Sequence, residues 1–262
     1  MVNRETTVSL VLGSGGARGL AHIGVIHVLE ERGYEITSIA GCSVGALVGG
    51  VYAAGKLAEY EDWVRNLSKF DMVNLMDIAW VGGGLVKGQK IINKMIKLVG
   101  DRKIEDLPMP FTAVATELES GREVWLSEGP LFDAIRSSCS LPLFFTPTKY
   151  KEKMLVDGGV VNPVPIAPVF HGNTDITIAV NLGGRPRKEQ TVESKKDVGA
   201  YEVAYFVFDA MQSTIARQKL AAYPPDLVIN IPRDAARTFD IDRAAEMIEI
   251  GRKAAEEALE NL

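Results

Sequence analysis

A serine with glycines two residues to either side, an aspartate followed by two glycines, and a glycine loop ahead of both carry the chemistry of this chain. Ser43 stands in Gly41-Cys42-Ser43-Val44-Gly45, where a short apolar run ending at Ala40 gives way to a helix-like run from Ala46 to Ala54. That is the pattern of a nucleophile elbow, a sharp strand-to-helix turn whose strained backbone needs small neighbours. The turn presents the hydroxyl at a helix amino end, where partial positive charge favours the anion that grows during acyl transfer.

A serine hydroxyl needs a base. Asp157 opens Asp157-Gly158-Gly159 directly after the apolar strand Lys153 to Val156, and Asn162-Pro163-Val164-Pro165 fixes the loop behind it. A carboxyl with an ordinary pKa near 3.9 is a poor base for a hydroxyl, so the site must desolvate it or bond it closely to Ser43. His171 offers the competing Ser, Asp, His order of α/β-hydrolases. His22 and His27 both fall in the first helix, where packing or solvent exposure is the expected role. Cys42, just before the elbow serine, reads as a small buried residue rather than a nucleophile. With Cys139 it makes two cysteines, too few for a disulfide scaffold and without metal-ligand spacing.

The glycine loop Gly13-Ser14-Gly15-Gly16-Ala17-Arg18-Gly19 admits three readings. A dinucleotide fingerprint from Gly13 meets Arg18 where its third glycine belongs, and a phosphate-binding P-loop lacks its lysine. Reading from Ser14 restores the spacing, but the following strand ends in the elbow instead of an acid. The third reading is an oxyanion hole, with the backbone N–H groups of Gly15, Gly16, Ala17 and Arg18 aimed at a developing negative oxygen. Arg18 then either braces the loop or adds positive potential.

These residues must be placed by a scaffold in which strands and helices alternate. Val8 to Leu12 reads as a strand, Leu20 to Arg32 as a helix stopped by Gly33, and Ile36 to Ala40 as the strand leading to Ser43. Further strands are predicted at 111–116 and 123–126 as a hairpin, then at 153–156, 176–182 and 227–231. Helices are predicted at 89–99, 130–139, 201–222 and 240–262. Residues 57–81 read as a helix on the sheet in preference to a mobile lid over a lipid cleft, a question that covers residues 70–88. Gly183 to Asp197 reads as a solvated loop, with contact to anionic headgroups the lesser alternative. The pattern implies a mainly parallel sheet covered on both faces.

Composition narrows the function. The 262 residues, 47% of them hydrophobic, suffice for a large core and are read as one domain spanning 1–262. A net charge of −5 and a pI near 5.4 argue against a nucleic-acid partner. No apolar stretch approaches the roughly 20 residues of a membrane span, and the amino end lacks the long apolar run of a secretory signal. A soluble, cytoplasmic protein is expected, with peripheral contact at the membrane as an extension of that reading.

Taken in order, Ser14-Gly15-Gly16-Ala17-Arg18-Gly19, Gly41-Cys42-Ser43-Val44-Gly45 and Asp157-Gly158-Gly159 resemble the patatin-like phospholipase family, specifically its small bacterial members. Thr116-Glu117-Leu118-Glu119-Ser120-Gly121 and Ser137-Ser138-Cys139-Ser140-Leu141-Pro142 extend the likeness, which runs from about residue 8 to 182. Ser14 departs from the family's usual first glycine, and no diagnostic motif follows residue 182. The resemblance implies a three-layer α/β/α sandwich and a Ser43–Asp157 dyad. It also implies an oxyanion hole from the glycine loop and hydrolysis of lipid acyl esters through an acyl-serine, with no metal and no organic cofactor. The same parts would serve an acyltransferase, a thioesterase or a non-catalytic protein-binding module.

Overall fold

The computed structural model describes residues 5–75, 86–170, 172–187, 200–237, 240–260 and 262. Its centre is an eight-stranded mixed sheet of β1 (Thr6–Leu12), β2 (Tyr34–Cys42), β3 (Phe111–Glu117), β4 (Glu123–Leu126), β5 (Thr148–Tyr150), β6 (Lys153–Asp157), β7 (Ile176–Gly184) and β8 (Leu227–Pro232). The order β5-β6-β3-β2-β1-β7-β8 runs parallel from β3 to β8, with β4, β5 and β6 antiparallel at one end. The predicted hairpin is β3–β4. β5, three residues without alternation, leaves no mark in the sequence pattern.

Alternation along the parallel strands divides the core between two faces. Leu10, Leu12, Ile178, Val180 and Leu182 point into the larger cluster. It is completed by α1 (Ala21–Glu31), α2 (Val44–Ala53), α3 (Leu57–Arg65), α5 (Gln89–Val99), α6 (Leu131–Ser138) and α8 (Ala244–Leu259). Val11, Ala40 and Ala179 point the other way, onto Val164, Ile166 and Val169 and onto Ala216 of α7 (Ala200–Ala222). Helices on both faces make the three layers expected.

As far as it is described, the 57–81 segment is two helices, α3 and α4 (Lys69–Leu75), broken at residues 66–68; residues 76–85, at the heart of the lid question, lie outside the described residues. So do 188–199, which hold most of the charged loop after β7. Among the described residues no helix is long and apolar enough to cross a membrane.

One feature of the sheet places the chemistry. β2 pairs with Phe111 to Val114 of β3, β6 pairs with Ala115 to Glu117, and β4 pairs with Ala113 to Thr116. Because β4 overlaps both, it takes one edge of β3, and β2 and β6 share the other. β2 runs parallel to β3 and β6 antiparallel, so their carboxyl ends meet. Cys42 pairs with Val114 and Asp157 with Ala115, the next residue along.

Candidate active site

The elbow is strained as its glycines predict. Ser43 has φ 55° and ψ −125°, a region that side chains other than glycine rarely enter. A Cβ at Gly41 would strike the carbonyl of Gly45 and stand 2.6 Å from the nitrogen of Ala46, and one at Gly45 would strike the carbonyl of Leu12. The turn thus closes only with hydrogen at both positions. The Ser43 carbonyl accepts the first bonds of α2, from Ala46 N–H at 2.9 Å and Leu47 N–H at 3.1 Å.

What holds Ser43 in that conformation is Ser138, at the end of α6. The Ser43 N–H donates to Ser138 Oγ at 2.8 Å, and the Ser138 hydroxyl donates onward to the Val114 carbonyl at 2.6 Å. The Ser137–Ser140 run is visible in the sequence, but which serine faces the elbow depends on the phase of α6.

Asp157 lies at the end of β6 with no solvent exposure. Its Oδ1 accepts the Gly159 N–H at 2.7 Å, with Cys42 Sγ at 3.9 Å. Its own N–H donates to the Ser140 carbonyl at 3.0 Å, which anchors the strand end. Burial pushes the carboxyl up to about 6, against the opposing pull of the Ser43 hydroxyl, the Gly159 N–H and Cys42. The Ser43 hydroxyl lies near enough to draw the carboxyl's pKa down, yet Oδ2 receives no hydrogen bond in close, aligned geometry. Such slack is common before a substrate tightens the site. The carboxyl is thus ionised at neutral pH and more basic than a free aspartate.

The glycine loop faces the same space. The N–H groups of Gly13 and Ser14 are occupied by the carbonyls of Val180 at 3.0 Å and Pro163 at 2.8 Å. After Gly15 the chain enters a 3₁₀ turn, Gly16–Leu20, which leaves the N–H groups of Gly15, Gly16 and Ala17 without a partner inside it. The Arg18 side chain is buried and three-way bonded, from Nε to the Gly15 carbonyl at 3.0 Å, from one terminal nitrogen to the Arg233 carbonyl at 3.0 Å, and from the other to Asp209 Oδ1 at 2.8 Å. That geometry is a brace.

Of the histidines, His22 is buried behind the loop with Nε2 2.9 Å from the Gly13 carbonyl, and burial lowers its pKa to about 4. A neutral ring donating to that carbonyl supports the loop from below. His27 faces Glu61 at 3.1 Å. His171 lies outside the described residues.

Ser43, Val44 and the loop from Ser14 to Arg18 form part of the wall of a cavity of about 920 Å³, while Asp157 sits behind that wall. The remaining walls are mainly apolar, with Tyr60, Trp63 and Leu67 from α3 and its end, Ile91, Ile92 and Met95 from α5, and Phe144 and Phe145 after α6, and they also carry Arg136, Asp209, Gln212, Arg237 and Asp240. Arg136 steadies one side by donating to the carbonyls of Lys87 and Thr146 and to Ser140 Oγ. The volume is that of a small-molecule site, and its lining suits a hydrocarbon chain.

The sequence pattern of the patatin-like phospholipase family matches residues 10–170, a span that holds both Ser43 and Asp157. An uncharacterized NTE family protein of Mycobacterium tuberculosis is 35% identical over 97% of this chain and 91% of its own. The lysophospholipase nte1 of Emericella nidulans is 30% identical over 67% of this chain, corresponding to 12% of that protein. Among solved structures, VipD from Legionella pneumophila shares the fold with a TM-score of 0.60 at 15% identity, covering 98% of this chain and 67% of that one.

Proposed function

Because the chain belongs to the patatin-like phospholipase family, we propose that it hydrolyses carboxylic esters of lipids with Ser43 as nucleophile and Asp157 as general base. The observation that carries this reading is the meeting of β2 and β6 on one edge of β3, which sets a strained serine beside a buried carboxyl of raised basicity. Asp157 accepts the Ser43 proton as Oγ attacks the ester carbonyl carbon. The tetrahedral oxyanion is held by the N–H groups of Gly15, Gly16 and Ala17, with Arg18 bracing the loop. Loss of one such donor typically costs about 3 kcal/mol of barrier. Protonated Asp157 then gives its proton to the departing alkoxide. Water, deprotonated in turn by Asp157, attacks the acyl-Ser43 and releases the fatty acid.

The apolar cavity supports an acyl chain as the group bound beside Ser43, and the lysophospholipase relatives support a single-chain phospholipid as the substrate. A fluorophosphonate probe and a panel of lysophospholipids test both points. Stoichiometric labelling and fatty-acid release by the wild type, both absent in Ser43→Ala, are expected. An unlabelled wild type would remove the enzyme and leave a binding module.

A further inference from the structure

α5 has two opposed faces. Ile91, Ile92 and Met95 line the cavity, while Lys90, Lys94 and Lys97 are exposed. At about 100° per residue those lysines fall within an arc of roughly 60°, in a row about 10 Å long. Residues 86–100 carry four lysines, Lys87 included, and no acid, in a chain whose net charge is −5.

Several lysines elsewhere on the surface are met by carboxylates, as in Lys149–Glu152 at 3.7 Å, Lys151–Glu128 at 3.2 Å and Lys153–Glu117 at 3.4 Å. Among the described residues, Lys87, Lys90, Lys94 and Lys97 form no ion pair. Lys90 Nζ donates instead to the Asn74 carbonyl at 3.1 Å. That bond joins α5 to α4, whose Phe70 is 73% exposed.

We propose that the outer face of α5 is the surface by which the protein docks on an anionic lipid bilayer. An uncompensated row of cations on an outward helix face is the charge pattern that negatively charged leaflets attract. A bilayer is the occupant rather than a nucleic acid because the same helix walls an apolar cavity. On the reading that the cavity takes acyl chains, docking there would hold the cavity one helix away from the leaflet that supplies them.

The test uses the full chain with Ser43→Ala, so that vesicles are not consumed and docking is read independently of ester hydrolysis. Co-sedimentation with phosphatidylcholine vesicles is compared with vesicles also containing phosphatidylglycerol, at low and raised salt. Binding is expected with phosphatidylglycerol and is weakened by salt. Each lysine near an anionic surface multiplies partitioning by about five, so Lys90→Gln, Lys94→Gln and Lys97→Gln together should lower it about a hundredfold.

The triple variant Lys149→Gln, Lys151→Gln and Lys153→Gln changes charge equally and should bind like its parent. The α5 triple variant on the wild-type background should still turn over a short water-soluble ester normally, which shows that it folds. Equal vesicle binding by the α5 variant and its parent, equal loss in the control variant, or capture of duplex DNA in place of vesicles would overturn the assignment.

Discussion

Asp157→Asn should make the protein more stable and catalytically inert at the same time. Burial lifts the carboxyl from 3.8 to about 6. A folded-state pKa above the unfolded one means that stability is fully present below the unfolded value and is lost as pH rises through about 6. A shift of about 2 units at about 1.36 kcal/mol each sets the cost of the ionised form near 3 kcal/mol above about pH 7.

Asparagine does not ionise and escapes that cost. It retains an oxygen for the Gly159 N–H, bonded at 2.7 Å in the native site, and puts an amide where Oδ2 has no aligned partner. Denaturant titration at about pH 7.5 should find the variant more stable by about 2–3 kcal/mol, and at about pH 4 the gap should shrink below about 1 kcal/mol. The wild type's activity should fall about tenfold per pH unit below an inflection near 6, with no activity in the variant at any pH. A stability gap that is the same at both pH values, or a variant that turns over, would refute the reasoning.

Two further outcomes follow from the geometry. Ser138→Ala strips a partner from the Ser43 N–H and from the Val114 carbonyl, and at about 1–3 kcal/mol per orphaned buried group it should destabilise by roughly 2–6 kcal/mol. With the elbow unlatched, kcat should drop at least about tenfold with little change in KM; steady-state kinetics on a soluble ester checks this, and an unchanged kcat would remove Ser138 from the site. For the cavity, kcat/KM on a series of acyl esters should climb by up to about fourfold per added methylene while the chain remains enclosed, following about 0.8 kcal/mol per buried CH₂. Leu67→Trp, at a partly exposed wall position, should shift the best chain to a shorter one, and a flat series would mean that the acyl group binds elsewhere.

The strained turn at Ser43 and the strand-end position of Asp157 were legible because their requirements are local. A strained turn demands glycines within two residues, and a strand-end acid beside paired glycines shows as a turn, though its role needs the elbow and the glycine loop beside it. The route by which they meet was not legible. It depends on β6 running antiparallel along β3, and β5, which accompanies it, is too short to show a period. Ser138 hides among four small residues because only the rotation of α6 selects it. Arg18 left two roles open until three bonds showed the brace. The α5 lysines share one face only once the helix that spaces them is known.

The end-to-end seating of two strands on a third makes that third strand a ruler. Along it, neighbouring residues are about 3.4 Å apart, so the ends of β2 and β6 are set a single peptide unit apart, and of the helices α6 acts on that spacing through Ser138. Under the proposed hydrolysis, walls that take chains of different length and bend can shift by an ångström or more without detuning the proton transfer, and tolerance toward lipids and exactness toward protons fall to separate parts of one molecule.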